Sequence, residues 1–228
     1  MKRVVCILAA AILVSSAAAA KGFHAGLKGG LSTSTTTGVP LGLDDTSFRG
    51  GFAGGLSLGY SFNDYFTLQP EILYVMKGLG GSVSNRFSSG DFTGEYDYVE
   101  IPVLAKLTMS SRSRVSPYVF FGPSLGLNVK ADVEIDWAPS RLNEAWTESW
   151  DYSSVTNTLE FSVAFGGGLE FDAWMGAVTL DGRFDLGLSK VTKGGTISTI
   201  IDDTEFIEHV SESTSKNMGF LLLVGYAF

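Results

Sequence analysis

The run Met218-Gly-Phe-Leu-Leu-Leu-Val-Gly-Tyr-Ala-Phe228 alternates with a period of two. Phe220, Leu222, Val224, Tyr226 and Phe228 share one side, while Gly219, Gly225 and Ala227 lie on the other and leave room for neighbouring side chains. A soluble sheet ending in so apolar a strand would expose an edge that invites aggregation. A strand that faces lipid and closes a ring avoids that hazard, so the run predicts the closing strand of a transmembrane β-barrel.

The same period, followed backwards, predicts eight strands: His24–Ser32, Gly51–Phe62, Phe66–Lys77, Tyr98–Met109, Tyr118–Val129, Glu160–Phe171, Ala177–Ser189 and Asn217–Phe228. Each reaches the 9–11 residues or so that a tilted strand needs to cross a bilayer. Their connections alternate. Asn63–Tyr65, Ser110–Pro117 and Asp172–Gly176 are short, whereas Thr33–Gly50, Gly78–Asp97, Lys130–Leu159 and Lys190–Lys216 are long. Short periplasmic turns, long extracellular loops and both strand termini in the periplasm are the expected arrangement. The fold class is therefore all-β, an eight-stranded antiparallel up-and-down barrel.

Charge separates the two faces of these strands. One face carries Leu27 and Leu31, Phe52 and Leu56, Leu68 and Ile72, Ile101 and Leu107, Phe121 and Leu125, Phe161 and Phe165, and Leu180 and Phe184, without an ionisable group. The other holds Lys28, Glu71, Lys77, Glu100, Lys106, Glu160, Glu170, Asp181, Arg183 and Asp185. A Lys or Arg on the lipid face would cost roughly 2–4 kcal/mol at mid-membrane, so the charged face must be the inner one. Tyr60, Phe62, Phe66, Phe171, Tyr226 and Phe228 all fall near the short-turn end, where an aromatic girdle would sit.

The N-terminus agrees with export. Lys2 and Arg3 precede an apolar run from Val4 to Val14, and small residues at Ala18 and Ala20 predict a signal peptide over 1–20, cleaved before Lys21. The barrel domain is then 21–228. Cleavage shortens the chain from 228 to 208 residues, removes Cys6, its single cysteine, and takes the formal net charge from −8 to −10. Thiol chemistry is thereby excluded, and the acidic balance argues against nucleic acid.

Five segments in order, Gly26-Leu-Lys-Gly-Gly-Leu-Ser32, Leu68-Gln-Pro-Glu-Ile-Leu-Tyr74, Val99-Glu-Ile-Pro-Val-Leu-Ala-Lys106, Pro117-Tyr-Val-Phe-Phe-Gly-Pro123 and Gly182-Arg-Phe-Asp-Leu-Gly-Leu188, resemble the recurring segments of the PorT-type outer-membrane β-barrel family. The resemblance covers nearly the whole mature chain. It implies fold and location rather than an activity, although the namesake group assists protein secretion. One departure concerns the C-terminal assembly signal. Where outer-membrane barrels carry a Gly five residues before the final aromatic, this chain has Leu223, which leaves Tyr226 and Phe228 to be recognised by a barrel-assembly machine.

The interior of eight strands is just wide enough for side chains to fill. Gly26, Gly30, Gly55, Gly59, Gly122, Gly126, Gly166, Gly168 and Gly187 create inward space that long side chains must occupy. Lys28, Glu71, Glu100, Lys106, Asp181, Arg183 and Asp185 are the candidates, with Arg183 expected among Glu71, Glu100, Asp181 and Asp185. These charges could line a gated ion path or pair into a network that closes the lumen, and the narrowness favours pairing.

Catalysis has little support. His24 starts the first strand and His209 lies in the last long loop, on opposite sides of the membrane. Asp202, Asp203 and His209 could be read as a catalytic rim but fit a solvated acidic loop better, and Asp44 and Asp45 with Asp202 and Asp203 lack the alternating ligand spacing of a calcium loop, so no metal and no cofactor are assigned. The third long loop carries Trp137, Trp146 and Trp150 amid Asp136, Glu144 and Glu148, a surface that could stack on sugars or dock a protein. Alternatively the strands continue there as a hairpin and the tryptophans pack on each other. Gly80 and Gly81 of the second loop and the Thr33–Thr37 run of the first read as mobile polar stretches.

The expected protein is a monomeric, non-enzymatic barrel with a plugged, salt-bridged interior and a surface structural or interaction role. Its expected partners are outer-membrane lipid, the barrel-assembly machinery during biogenesis, and an extracellular ligand or secretion component. The alternative is a small channel or a secretion-system accessory.

Overall fold

The computed structural model describes residues 22–37, 45–84, 88–109, 114–139, 146–173, 175–201, 204–210, 212 and 214–228. The strands are β1 (Phe23–Thr37), β2 (Asp45–Ser61), β3 (Phe66–Ser84), β4 (Ser88–Thr108), β5 (Val115–Pro139), β6 (Trp146–Asp151), β7 (Leu159–Ala173), β8 (Gly176–Gly187), β9 (Gly195–Ile201), β10 (Thr204–Val210) and β11 (Lys216–Ala227). Eight of them form a ring in the order β4-β3-β2-β1-β11-β8-β7-β5, closed by β4 against β5, and all the pairings are antiparallel. The ring is the expected eight-stranded up-and-down barrel. β11 does close it, with Leu27 opposite Tyr226 on β1 and Tyr226 opposite Val178 on β8.

The faces follow the pattern of charge. Phe52, Ile72, Phe121, Phe161 and Val224 are more than half exposed on the outside. Arg183, Glu71, Asp181, Asp185 and Glu100 are all at most 1% exposed. At the short-turn end, Phe23, Tyr60, Phe62 and Phe66 form a continuous outward chain of rings with centroids 4.7, 4.8 and 5.4 Å apart, and Tyr226 meets Phe228 edge-on at 4.9 Å. The β2–β3 turn beside them is held by Asn63, whose side-chain oxygen accepts the backbone N–H groups of Tyr65 and Phe66 at 2.9 Å.

The long connections differ from expectation. Gly80 and Gly81, read as mobile, are paired strand residues opposite Ser47 and Thr46 on one side and Thr93 and Phe92 on the other. Thr33–Thr37 likewise pairs with Lys216–Phe220. Polar Gly, Ser and Thr tracts lose the apolar alternation that marks a membrane strand, yet their backbones still satisfy their hydrogen bonds by extending the ladder.

The third long loop folds back as β6, which pairs with the upper part of β5, Trp137 opposite Trp146 and Asp132 opposite Asp151. β6 and β7 thus occupy one lane beside β5, interrupted by residues 152–158. That interruption and residues 188–193 bend inwards over the ring. Asn157 N–H donates to the Val191 carbonyl at 2.7 Å, and Lys193 N–H to that of Val155 at 2.9 Å. Val155, Thr156 and Val191 are buried, and Val191 joins Leu79, Tyr96, Tyr98 and Ala131 in an apolar cap with Tyr152 and Phe92 packed against it. Residues 1–20, Asp44, Glu144, Asp202 and Asp203 lie outside the described residues.

Candidate functional site

The centre of the lumen is bridged from wall to wall. Glu71 on β3 and Arg183 on β8 stand on opposite walls, four strands apart in a ring of eight, and Arg183 Nη2 lies 2.5 Å from Glu71 Oε2. Lys28 on β1, between those walls, places its Nζ 2.8 Å from Glu71 Oε1 and 2.5 Å from Asp181 Oδ2. Gln69 donates to Glu71 Oε1 at 2.7 Å, and the Tyr118 hydroxyl donates to the second oxygen of Asp181. Two cations and two carboxylates are thus knit across the full width of the barrel, with the Arg183 guanidinium 5.4 Å from the centroid of the Phe120 ring.

A second group lies nearer the long loops. Lys77 Nζ is 2.5 Å from Glu100 Oε1 and 3.4 Å from Glu160 Oε1, and 5.1 Å from the centroid of the Tyr98 ring. Asn217 on β11 ties this group together, donating to Glu160 Oε2 at 3.0 Å and to the Tyr98 hydroxyl at 3.2 Å while accepting from Thr36 at 3.1 Å. A third pair, Lys106 with Glu170 at 2.6 Å, sits at the short-turn end with the lysine 3.9 Å from the Tyr118 ring centroid. That pair borders a cavity of about 520 Å³, lined also by His24, Lys28, Gln69 and Thr179.

The charges expected together therefore fall into three groups instead of one. Arg183 pairs with Glu71 but forms no ion pair within 4.0 Å of Asp181, Asp185 or Glu100. The reason is spacing: Asp181, Arg183 and Asp185 point the same way from one strand, so the long guanidinium reaches across the lumen more readily than along it.

Two apolar clusters complete the obstruction, one of Ala53, Leu73, Val75, Leu221 and Leu223, the other of Leu104, Tyr118, Phe120 and Ala164. Sorting the faces by charge alone missed them. The inward glycines hold the signal that would have found the aromatic ones: a Cβ on Gly166 would lie 2.9 Å from Phe120 Cζ, and one on Gly168 would lie 2.7 Å from the Tyr118 ring, so each ring fills the hollow beside it. His24 fills the hollow of Gly59 in the same way.

Above the apolar band, Glu95 binds Arg49 and Lys130, each at 2.5 Å; the hydrogen bond from Lys130 holds the Glu95 carboxyl below its ordinary range and raises Lys130 in return. Two hydrogen bonds from Ser153 lower Asp151. On the β5–β6 hairpin, Trp137 donates to Glu148 at 3.3 Å and Thr147 donates to Asp136 at 2.6 Å, while Trp150 is half-buried. Trp146 contributes its backbone to the pairing; its side chain lies outside the described residues. His209 contacts Thr196 within the β9–β10 hairpin, and His24 lines the cavity at the opposite end.

A closed antiparallel ring with an apolar exterior and inward charges is a transmembrane β-barrel of the outer-membrane class. Residues 14–193 match the family model of the outer membrane protein beta-barrel domain, and the chain belongs to that family. Among solved structures, it is similar to Ail, the attachment invasion locus protein of Yersinia pestis, at 17% identity over 90% of this chain and 98% of that one, with a TM-score of 0.36. Neisserial surface protein A matches at 16% identity over 91% and 96%, TM-score 0.43. OprG from Pseudomonas aeruginosa matches at 11% identity over 92% and 98%, also with a TM-score of 0.43. No curated protein matches the chain.

Proposed function

We propose that this protein is a closed, non-conducting outer-membrane barrel of the PorT type, exported by a signal peptide over 1–20 and acting at the cell surface as a monomeric structural or interaction protein without enzymatic activity. The observation that carries the reading is the Arg183–Glu71 bridge between opposite walls, with Lys28 and Asp181 filling the space beside it. A hydrated ion meeting that layer would have to break several charge-assisted hydrogen bonds in a poorly hydrated space. The apolar cap above it adds a second barrier.

Planar-bilayer recording of the purified barrel tests this directly: no unitary conductance is expected, and a reproducible conducting state would favour the channel alternative. An affinity pull-down from gently solubilised membranes separates a lone surface barrel from a secretion accessory. Tyr226 and Phe228 serve assembly in this reading, so deleting Phe228 lowers the yield of folded barrel in the outer membrane. Trp137, Trp146 and Trp150 are the contacts offered to an extracellular partner.

A further inference from the structure

The interior charges do not balance. Among the described residues, the sealed part of the lumen holds three cations, Lys28, Lys77 and Arg183, against five carboxylates, Glu71, Glu100, Glu160, Asp181 and Asp185. The central group is neutral, with Lys28 and Arg183 matching Glu71 and Asp181. The excess belongs to the upper group, where Lys77 alone faces Glu100, Glu160 and Asp185. Asp185 is 1% exposed, and neither of its oxygens accepts a hydrogen bond from a described residue. The Oγ of Ser124, two strands away on the same inner face, is also buried without a partner.

Among the described residues, the polar and titratable groups buried in this part of the lumen come from seven of the eight walls, β2 contributing none of them. Lys77 and Glu71 come from β3, Glu100 and Tyr98 from β4, Ser124 from β5, Glu160 from β7, Arg183 and Asp181 from β8, Asn217 from β11 and Thr36 from β1. Arg183 pairs with Glu71 through Nη2 while its Nε and Nη1 stay buried without a partner among the described residues, neither of them bonded to Asp185, and Lys77 pairs with Glu100 and Glu160. A carboxylate left ionised in such a place is costly, because it is buried and no described donor hydrogen-bonds either of its oxygens, and one lysine cannot neutralise three acids. Some positive charge must therefore enter with it. No three His, Cys, Asp or Glu side chains among the described residues are placed to hold a metal ion. A proton, in contrast, needs only one acceptor oxygen.

We infer that the upper lumen is a proton-binding site, with Asp185 carrying a proton in the folded barrel at neutral pH. The site lies beyond the closed central layer and depends on the dryness of the lumen at that height. Conductance tests the closure and vibrational spectroscopy tests the proton, so the two can fail separately.

Infrared spectra of the folded wild-type barrel at neutral pH should contain a carbonyl band of a protonated carboxylic acid, shifted when aspartate alone carries carbon-13 at its side-chain carboxyl and lost in Asp185→Asn. The unlabelled wild type needs no variant to fold, so the test survives a poorly folding mutant. Unfolding should release that proton. The folded state binds it and the unfolded state does not, so stability falls as pH rises, and the wild-type unfolding constant should increase by about tenfold more per pH unit than that of Asp185→Asn above ~pH 5. Absence of the band, a band insensitive to aspartate labelling, or a dependence of unfolding on sodium or potassium concentration in place of pH would each overturn the assignment.

Discussion

The two charged layers inside this barrel are built from the same residue types and behave as opposites. In the central layer, two cations meet two carboxylates, and Gln69 and Tyr118 add further donors to those acids. In the upper layer, one lysine pairs with two of three acids, and among the described residues only Asn217 adds a donor to them. A balanced network can be dry and rigid, because every charge it buries has a partner. An unbalanced one must either admit water or recruit positive charge from outside. The barrel thus combines a layer suited to closure with a layer whose ionisation couples to the solution.

Removing Arg183 should break the comparison most forcefully. Arg183→Met strips Glu71 of its cross-lumen partner and leaves the central layer with one cation for two acids, and breaking a buried pair from one side costs about 3–5 kcal/mol. Urea unfolding in detergent micelles reads that loss. If stability were unchanged and a conductance appeared or altered, the central layer would be lining water and the closed reading would fail.

Lys77→Met sharpens the contrast. Asn217 still donates to Glu160, and an acid-rich layer can respond by taking up another proton, so the expected loss is smaller, about 1–3 kcal/mol. Unfolding measured on the same preparation checks the ranking; a larger loss than for Arg183→Met would make the upper layer the principal tie between the walls. The smallest effect is expected at the mouth. Glu170 keeps 29% of its side chain exposed and can hydrate when Lys106 is replaced by Met, so the change should stay within about 1 kcal/mol. A loss as large as that for Lys77→Met would show that the mouth is drier than its cavity suggests.

The extracellular portion follows a different logic from the lumen. Its strands extend well past the apolar band, and backbone pairing of β5 with β6 holds the third long loop. Residues 152–158 and 188–193 turn inwards because Val155 is buried there and Val191 packs against Tyr96, Tyr98 and Leu79. Neither valine stands in a periodic run, so nothing local marked it as part of a cap.

Period-two alternation by itself determined the eight membrane strands, their antiparallel order and the inward direction of the charges, because lipid penalises a charge on one face and a strand has only two faces. It also determined that Arg183, Lys28, Glu71 and Asp181 would share one interior. Only the tertiary structure decided which of them meet. Arg183 and Glu71 are 112 positions apart in sequence and become partners because ring closure sets β3 opposite β8. Pairing across a lumen depends on the height at which each strand is registered against its neighbours, a quantity accumulated around the whole ring and absent from any single strand.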